Sequence, residues 1–181
     1  MSVLKLVRYD HPAIVEPAKK FDFTKPPFDP IQFALDLSET MNAHTALGIA
    51  APQVGVPYRI IAIPQAPNLV MFNPLIVDRS TEVDEKEEGC LTYPGLILKM
   101  TRALAIKVRF ALPNGEVKTE KYAGMTARVI QHECDHLEGR TILTAREGVS
   151  RYMAQKKWSK IVSRTGGGPA SNPSEIQGTY A

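Results

Sequence analysis

The chain lacks any apolar run long enough to cross a bilayer, which takes about 18–20 residues. Its longest mostly apolar stretch, residues 46–64, is interrupted by prolines, a glutamine and an arginine. The first residues, Met-Ser-Val-Leu-Lys-Leu-Val-Arg, contain no apolar signal-peptide core. We therefore expect no contact with a membrane. The expected location is the cytoplasm, of the host cell if the source is viral, or the interior of an organelle if a transit segment has been removed.

Cysteine is also scarce, with Cys90 and Cys134 the two thiols in 181 residues. They could form a disulfide, but reduced thiols are expected in a chain without a signal peptide. The net charge of +3 is too small to argue for a nucleic-acid partner by itself, and we expect no DNA binding. The remaining composition, 44% hydrophobic and 23% charged, is that of an ordinary globular protein.

Hydrophobic periodicity and turn residues predict the secondary structure. Strands are predicted over residues 3–7, 59–63, 69–72, 76–78, 82–85 and 103–110. Residues 10–30 contain five prolines, which predicts extended loop rather than helix. The sequence Pro-Asn-Gly at 113–115 should turn the last of these strands into a hairpin with residues 116–122. Helices are predicted over residues 31–44, 124–138 and 148–164.

Strands followed by helices, without regular alternation of the two, indicate an α+β domain. We expect antiparallel β-sheets packed around a central helix at about 124–138, with an N-terminal helix and a C-terminal helix. The length suits one hydrophobic core, so residues 1–164 are predicted to form a single domain. Residues 165–181 are rich in glycine, serine and proline and are expected to be a flexible tail.

The most specific feature is the run Gln-His-Glu-Cys-Asp-His at residues 131–136, inside a predicted helix. Residues four apart on a helix project only about 40° from each other, so His132 and His136 can bind one metal ion. Glu133 lies between them in angle and can reach a water on that ion without being a ligand. Cys134 faces away, about 200° around the helix from His132. Taken alone, the pattern also occurs on solvated helix faces.

A catalytic metal site of this kind needs a third protein ligand and an open position. The residues after His136 do not supply the histidine or glutamate that metalloproteases usually use. Cys90, within Glu-Gly-Cys-Leu at residues 88–91, is the better candidate because a thiolate is a strong, soft ligand. The glycine before it lets an extended segment approach the helix closely.

Three other polar residues allow more than one structural interpretation. Glu88 either belongs to a solvated acidic run, residues 84–88, or pairs with Arg102 and supports the segment that carries the cysteine. His11 lies in a predicted loop and His44 at a predicted helix end, and we interpret both as structural or solvated. None of these three is expected to be a metal ligand.

Three motifs together resemble those of the peptide deformylase family. They are Ala-Leu-Gly-Ile-Ala-Ala-Pro-Gln at 46–53, Glu-Gly-Cys-Leu-Thr at 88–92 and Gln-His-Glu-Cys-Asp-His at 131–136, in the family's order. The resemblance covers about residues 2–164. Ala46 stands where the family usually has glycine, and Thr92 stands where it usually has serine. Neither departure removes a ligand, a proton-transfer group or a hydrogen-bond donor.

The resemblance implies a metal-dependent hydrolase that removes the formyl group from the N-terminal formyl-methionine of nascent polypeptides and releases formate. Glu133 would transfer the proton. The Gln53 side-chain amide and the Leu91 backbone N–H would stabilise the negative oxygen that develops on the formyl group. The Gly48 backbone would hold the substrate as an added strand. The implied ion is Fe(II), with Zn(II) or Ni(II) also possible for a Cys-His-His ligand set.

The pocket for the methionine side chain should be apolar. Leu47, Met125 and Val129 are the candidates, and the last two lie on the same predicted helix face as His132. Plain core packing would give the same pattern, because the wall of a pocket and a buried core position look alike in a sequence.

The predicted C-terminal helix carries an excess of positive charge. Its five basic residues and one acidic residue give a net +4 over 147–164: Arg151, Lys156, Lys157, Lys160 and Arg164 against Glu147. An apolar side is predicted from Tyr152, Met153, Trp158, Ile161 and Val162. The helix either docks on the domain with its basic face in water or contacts ribosomal RNA where nascent chains emerge.

Two other functions are considered beside deformylation. An endopeptidase of the His-Glu-x-x-His type would not use Cys90 as a ligand and would cut internal peptide bonds. A non-catalytic metal protein would have a binding role only, but the presence of both Glu133 and Gln53 argues against it. A comparison of formyl-methionyl peptides with an unblocked protein substrate distinguishes the enzymes.

Overall fold

The computed structural model describes residues 2–167. Its helices are α1 (Pro12–Val15), α2 (Pro30–Ala43), α3 (Gly124–Leu137) and α4 (Gly148–Thr165), with a single 3-10 turn at Ala51–Val54. Its strands are β1 (Ile49–Ala50), β2 (Ile60–Ile63), β3 (Leu69–Arg79), β4 (Val83–Glu88), β5 (Leu98–Ala103), β6 (Ala105–Ala111) and β7 (Val117–Ala123). One sheet has the order β1-β2-β3-β6-β7, and β4 pairs with β5 separately. All of these pairings are antiparallel, which confirms the predicted α+β class.

The predicted helices are confirmed within one or two residues. Helix α2 begins at Pro30, and the Asp29 carboxylate caps it by accepting the backbone N–H of Ile31 at 2.9 Å. Helix α3 is followed by Gly139, which has a φ of 67° that glycine adopts without strain. The predicted hairpin is the β6–β7 pair, in register from Ala105–Ala123 to Ala111–Val117.

The predicted strand at residues 3–7 is wrong. The segment is extended but belongs to neither sheet, and the Val7 N–H donates to the Gln53 carbonyl at 2.9 Å. The loop predicted for residues 10–30 contains the short helix α1, because Pro12 is tolerated in a first helical turn. Pattern reasoning treated this proline as a helix breaker and missed the turn.

Two further differences lie in the strands. The separate strands predicted at 69–72 and 76–78 form one strand, β3, which continues through Asn73 and Pro74 with a register irregularity. Asn73 adopts a positive φ of 51°, so the backbone bends there without leaving the sheet. Strand β5 was not predicted, because Leu98–Ala103 lacks clear alternation and gains its order by pairing with β4.

Helix α3 lies against the five-stranded sheet and has two different faces. One face buries apolar side chains against the sheet: Ala127, Ile130, Cys134 and Leu137 pack with Ile61, Ile63 and Val108. The opposite face carries His132 and His136 toward the segment that follows β4. Since the apolar face is fixed by the core, the histidines are held at one orientation.

Helix α4 docks through a small apolar and aromatic cluster. Trp158 is 5% exposed, and its ring lies 5.4 Å from that of Tyr9 and 5.1 Å from that of Tyr93. Tyr152 and Met153, which were predicted to belong to the apolar side of this helix, are 58% and 59% exposed. None of the helices among residues 2–167 is both long and apolar enough to span a membrane.

Candidate metal centre and active site

Two neighbouring elements bring three metal-binding side chains together. Helix α3 supplies His132 and His136, whose ring centroids are 5.3 Å apart. Cys90 lies just beyond the end of β4, with its Sγ 3.2 Å from Nε2 of His136. One ligand atom from each of these three residues lies within 4.8 Å of the other two. Within residues 2–167, no other histidine, cysteine or carboxylate belongs to this group.

The chemistry of this cluster fits a divalent transition metal. Cys90 is 4% exposed, and burial alone would raise the pKa of its thiol. The two histidines outweigh burial and hold that pKa well below its usual value, which favours the thiolate that metals bind. These three residues would hold the ion through one thiolate and two imidazoles, a protein ligand number typical of catalytic sites that keep a position for water or substrate.

The other sulfur and the other histidines lie elsewhere, as the sequence predicted. Cys134 is a free thiol in the apolar cluster beneath α3. His11 caps α1 by accepting the Ala13 N–H at 3.2 Å, and His44 is buried at the end of α2. These positions explain why only two of the four histidines join the cluster.

Glu133 lies in the wall of the cavity beside the metal cluster. It is 4% exposed, and its Oε2 has no hydrogen-bond partner among residues 2–167. Burial raises the pKa of Glu133 to about 7, although His132 and His136 act in the opposite direction. A buried carboxylate with an unpaired oxygen and a pKa near neutrality is suited to accept and return a proton.

Gly48 lies so close to helix α3 that an added Cβ would force neighbouring side chains to move. A Cβ built on Gly48 would lie 2.6 Å from Oε1 of Glu133 and 2.6 Å from Cγ1 of Val129. Real Cβ atoms essentially never make contacts this short, so a substitution would displace the carboxylate or the strand. The lack of a side chain at Gly48 therefore allows the segment before β1 to lie directly against Glu133, the candidate for proton transfer.

Two hydrogen-bond donors lie beside Cys90. The Gln53 side chain is 3% exposed; its Oε1 accepts the Ala50 N–H at 2.8 Å, and its Nε2 lies 3.7 Å from Sγ of Cys90. The backbone N–H of Leu91 donates no hydrogen bond within the described part of the chain. The Leu91 N–H can therefore reach an oxygen atom next to the cluster, and Nε2 of Gln53, which contacts Sγ of Cys90, lies beside the same position.

The two departures from the family's motifs have different consequences. Ala46 does not need a positive φ; the left-handed residue in this loop is Thr45, with φ 52°. The alanine therefore introduces no backbone strain. The hydroxyl of Thr92 accepts a hydrogen bond from Nε2 of Gln53 at 3.2 Å. The threonine thus helps to orient the amide of Gln53.

Glu88 is the centre of a buried charge network, not part of a solvated acidic run. It is 1% exposed, and Nε and Nη2 of Arg102 donate to its two oxygens at 3.0 and 2.9 Å. It also lies 2.9 Å from Nδ1 of His132, so it orients that ring toward the cluster. Burial alone would raise the pKa of Glu88, but His132 and Arg102 hold it well below its usual range.

Sequence reasoning found the Glu88–Arg102 pair but missed three further members of the network. These three are Arg128, Asp84 and Asp135. Arg128 donates to Oε1 of Glu88 at 2.6 Å and also pairs with Asp84. Arg102 donates to Asp135 at 2.5 Å. One signal was present in the sequence. Arg128 precedes His132 by four residues and so lies on the metal-facing side of α3.

Two cavities adjoin the cluster and share the walls Leu47 and Val129. The first, of about 40 Å³, is also lined by Gly48, Leu91, Arg128, His132 and Glu133. The second, of about 50 Å³, is lined by Ile63, Pro64, Met125 and Thr126. Of the three residues predicted for the methionine pocket, Leu47 and Val129 border both cavities, whereas Met125 borders only the second.

Comparison with known proteins gives a consistent result. The polypeptide deformylase family model matches residues 3–151. A peptide deformylase of Pseudothermotoga lettingae is 36% identical over 135 residues, which are 75% of this chain and 79% of that protein. The crystal structure of the Thermus thermophilus peptide deformylase aligns with a TM-score of 0.81 and 28% identity, over 90% of this chain and 96% of that one. A Met-Ala-Ser-bound class I type b peptide deformylase from Acinetobacter baumannii aligns with a TM-score of 0.73 and 30% identity, over 79% and 98%.

Proposed function

The chain belongs to the polypeptide deformylase family, and from that premise we propose which of its residues perform the reaction. It is a metal-dependent hydrolase that removes the formyl group from the N-terminal formyl-methionine of nascent polypeptides. The observation that carries the residue assignment is the Cys90, His132 and His136 cluster, with the unpaired oxygen of Glu133 in the same cavity.

Cys90, His132 and His136 are the proposed ligands of one divalent ion. Fe(II) is the proposed native metal, with Zn(II) or Ni(II) as alternatives, because the family resemblance and the mixed thiolate–imidazole set support all three. When bound, the ion supplies Lewis-acid chemistry that polarises an oxygen and lowers the pKa of a water. Glu88 contacts Nδ1 of His132, so Nε2 of that ring would be the nitrogen that holds the ion.

Glu133 is the proposed proton-transfer residue. It accepts a proton as water adds to the formyl carbon, and it delivers that proton to the nitrogen when the carbon–nitrogen bond breaks. Formate and a free amino terminus result, with all atoms of the water accounted for. The buried position of Glu133 supports both steps, because a carboxyl group with a raised pKa can act as base and then as acid.

The Gln53 amide and the Leu91 backbone N–H are the proposed donors to the oxygen that becomes negative. Their positions beside Cys90 support the proposal, as does the lack of any other partner for the Leu91 N–H within residues 2–167. The Gly48 backbone precedes β1, an edge strand of the larger sheet. Such an edge can pair with an extended peptide, which would place the substrate's amino terminus in the metal cavity.

Formate release from formyl-Met-Ala-Ser under oxygen-free conditions tests this function, with Fe(II)-loaded protein compared with Zn(II)-loaded protein. We expect one formate per peptide and no cleavage of an unblocked protein substrate. Replacing Gln53 by leucine removes one donor and should lower kcat by about 100-fold or more. Internal cleavage of the unblocked protein would favour the endopeptidase reading, and full activity of Gln53→Leu would remove this residue from the mechanism.

Ribosomal RNA is a second proposed partner, bound through the exposed face of α4. Ala154 and Trp158 dock the helix, whereas its basic side chains are exposed: Arg151, Lys156, Lys157, Lys160 and Arg164. Tyr152 and Met153 are exposed on the same helix and could pack against bases. The alternative is that α4 binds no RNA and that its basic face is simply solvated.

Charge reversal distinguishes an RNA contact through α4 from a solvated basic face. Lys156→Glu combined with Lys160→Glu should abolish salt-sensitive co-sedimentation with ribosomes, because phosphate contacts depend on these cations. Formate release from a short peptide should not change. Lys118→Glu combined with Lys121→Glu on strand β7 is the matched control. Equal co-sedimentation of both double variants would rule out α4 as the contact.

Residues 1–164 are proposed to act as one catalytic domain, since the metal cluster joins β4 to α3 and α4 packs against the N-terminal Tyr9. The tail predicted at 165–181 lies almost entirely outside the described residues. The cytoplasm, or the interior of an organelle that translates formylated chains, is the proposed location because the substrate emerges from ribosomes there.

A further inference from the structure

The β4–β5 pair leads directly to Cys90 but is not part of the large sheet. Among the strands that the structure describes, β4 and β5 pair only with each other. Cys90 follows the last residue of β4 by two positions, whereas His132 and His136 lie on α3. The separation between the sulfur and the two imidazoles therefore depends on how this pair of strands is attached to α3.

A polar stripe on α3, formed by Arg128, Gln131 and Asp135, makes this attachment. These residues are three and four positions apart, so they lie on one side of the helix. Gln131 bonds both backbone groups of Ala103 on β5: its Oε1 accepts the N–H at 3.1 Å, and its Nε2 donates to the carbonyl at 3.0 Å. Asp135 accepts a hydrogen bond from Arg102 of the same strand at 2.5 Å.

Arg128 is the member of the polar stripe that bonds to both strands. Its Nη1 donates to the Met100 carbonyl on β5 at 3.0 Å and to Oε1 of Glu88 on β4 at 2.6 Å. Its Nη2 donates to the Asp84 carbonyl on β4 at 3.1 Å and pairs with the Asp84 carboxylate. Arg128 is 2% exposed, so these charge-assisted bonds are shielded from water. One buried guanidinium thus joins α3 to β4 and β5 together.

Glu88 connects this guanidinium to a metal-binding side chain. The two oxygens of Glu88 accept from Arg102 as well as from Arg128, and Oε2 also lies 2.9 Å from Nδ1 of His132. Without Arg128, Glu88 would be held by one arginine instead of two, and β4 would lose its bonds to α3. The segment that carries Cys90 and the ring of His132 would both be less firmly placed.

We propose that Arg128 is a positioning residue for the metal centre: by clamping β4 and β5 to α3, it holds Cys90 at the separation from His132 and His136 that one ion requires. The proposal rests on the ligand set assigned above. Arg128 is not itself a ligand, and it acts through the two strands and through Glu88. The property that it controls is the affinity of the protein for the metal.

Transfer of Zn(II) from the loaded protein to a chromophoric chelator tests the proposal, in wild type and in Arg128→Met. Methionine keeps an unbranched stem but forms none of the hydrogen bonds of the guanidinium. The dissociation constant for Zn(II) should rise about 10- to 100-fold, the usual effect of removing a residue that supports a metal ligand. The thermal midpoint in excess chelator is measured alongside, and the affinities are compared at a temperature where both proteins are folded.

Phe72→Leu is the control for a general loss of stability. Phe72 is fully buried, and its ring packs against those of Phe21 and Phe23 rather than against the metal cluster. This variant should lower the thermal midpoint, because a core side chain has lost volume, and leave the dissociation constant for Zn(II) unchanged. Arg128→Met with a lowered midpoint but wild-type affinity would show a purely structural role and overturn the inference alone.

Arg128→Lys separates the clamp from the effect of charge. Lysine keeps a positive charge beside Glu88, but its ammonium lacks the planar fork that spans Glu88, Asp84 and Met100. The dissociation constant should therefore rise in this variant too, and it decides the question if Arg128→Met does not fold. Wild-type affinity in Arg128→Lys would overturn the clamp. Wild-type protein that binds no stoichiometric Zn(II) would overturn the proposed metal centre, and the inference with it.

Discussion

Glu133→Gln is expected to lower formate release from formyl-Met-Ala-Ser by about 100- to 10,000-fold, the usual contribution of a positioned acid–base group. Glutamine has nearly the same shape but cannot accept a proton. The buried cavity offers no replacement, because Oε2 of Glu133 has no partner within residues 2–167 that could take over the transfer. Steady-state kinetics with equal metal loading provide the measurement.

Metal content separates this effect from loss of the metal centre. Glu133→Gln should still bind one ion, because the proposed ligands are Cys90, His132 and His136. The control is Glu138→Gln at the exposed end of the same helix, where the carboxylate pairs with Arg59 on the surface. That variant should keep its activity. Full activity in metal-loaded Glu133→Gln would refute the proposed proton transfer.

Cys90→Ala is expected to abolish tight metal binding and, with it, measurable formate release. Alanine removes the thiolate and leaves two imidazoles, which is one ligand fewer than catalytic sites normally provide. The low pKa of the Cys90 thiol increases the expected loss, since the ligand that disappears is an anion already favoured by two histidines. Metal analysis after dialysis against a weak chelator measures the effect.

The second cysteine provides a matched control for this variant. Cys134 is also buried, but it packs in the apolar cluster between α3 and the large sheet. Burial raises the pKa of its thiol to about 12, so it stays protonated and packs as a small apolar side chain. Cys134→Ala should retain stoichiometric metal and formate release. Retention of metal by Cys90→Ala, with loss in Cys134→Ala, would reverse the assignment.

The metal cluster was largely predictable from the sequence because two of its ligands depend only on helix geometry. His132 and His136 share a face whenever residues 131–136 are helical. Cys90 could be named as a candidate because the site needed a third ligand, a thiolate is a strong ligand and a glycine preceded this cysteine. The packing that presses the 88–92 segment against α3 could not be read from spacing, since it depends on the pairing of β4 with β5.

The polar side of the cavity was not predictable for the same reason. Strand β5 was missed, and with it the position of Arg102 and the Met100 carbonyl. Without that strand, Arg128 has no visible partner, and a charged residue on a helix face is usually solvated. Burial of Arg128 follows only when Glu88 and Asp84 reach it from the neighbouring hairpin.

The docking of α4 shows the limit of helical periodicity. The pattern correctly gave a helix with an apolar side that includes Trp158, which is buried, but it assigned the exposed Tyr152 and Met153 to the same side. The docking cluster around Tyr9 and Tyr93 covers only part of the helix, so those two residues remain in solvent. How far a surface extends over a helix is a tertiary property that the helix's own sequence does not contain.

X-ray absorption at the metal edge of the Zn(II)-loaded protein tests the central claim most directly, because it reports the atoms that hold the ion. We predict one sulfur at about 2.3 Å and two imidazole nitrogens at about 2.0–2.1 Å, with a light atom in the remaining position. Cys134→Ala should keep the sulfur signal, whereas Cys90→Ala should retain too little zinc to give one. A first shell of nitrogen and oxygen alone in the wild-type protein would contradict the proposed centre.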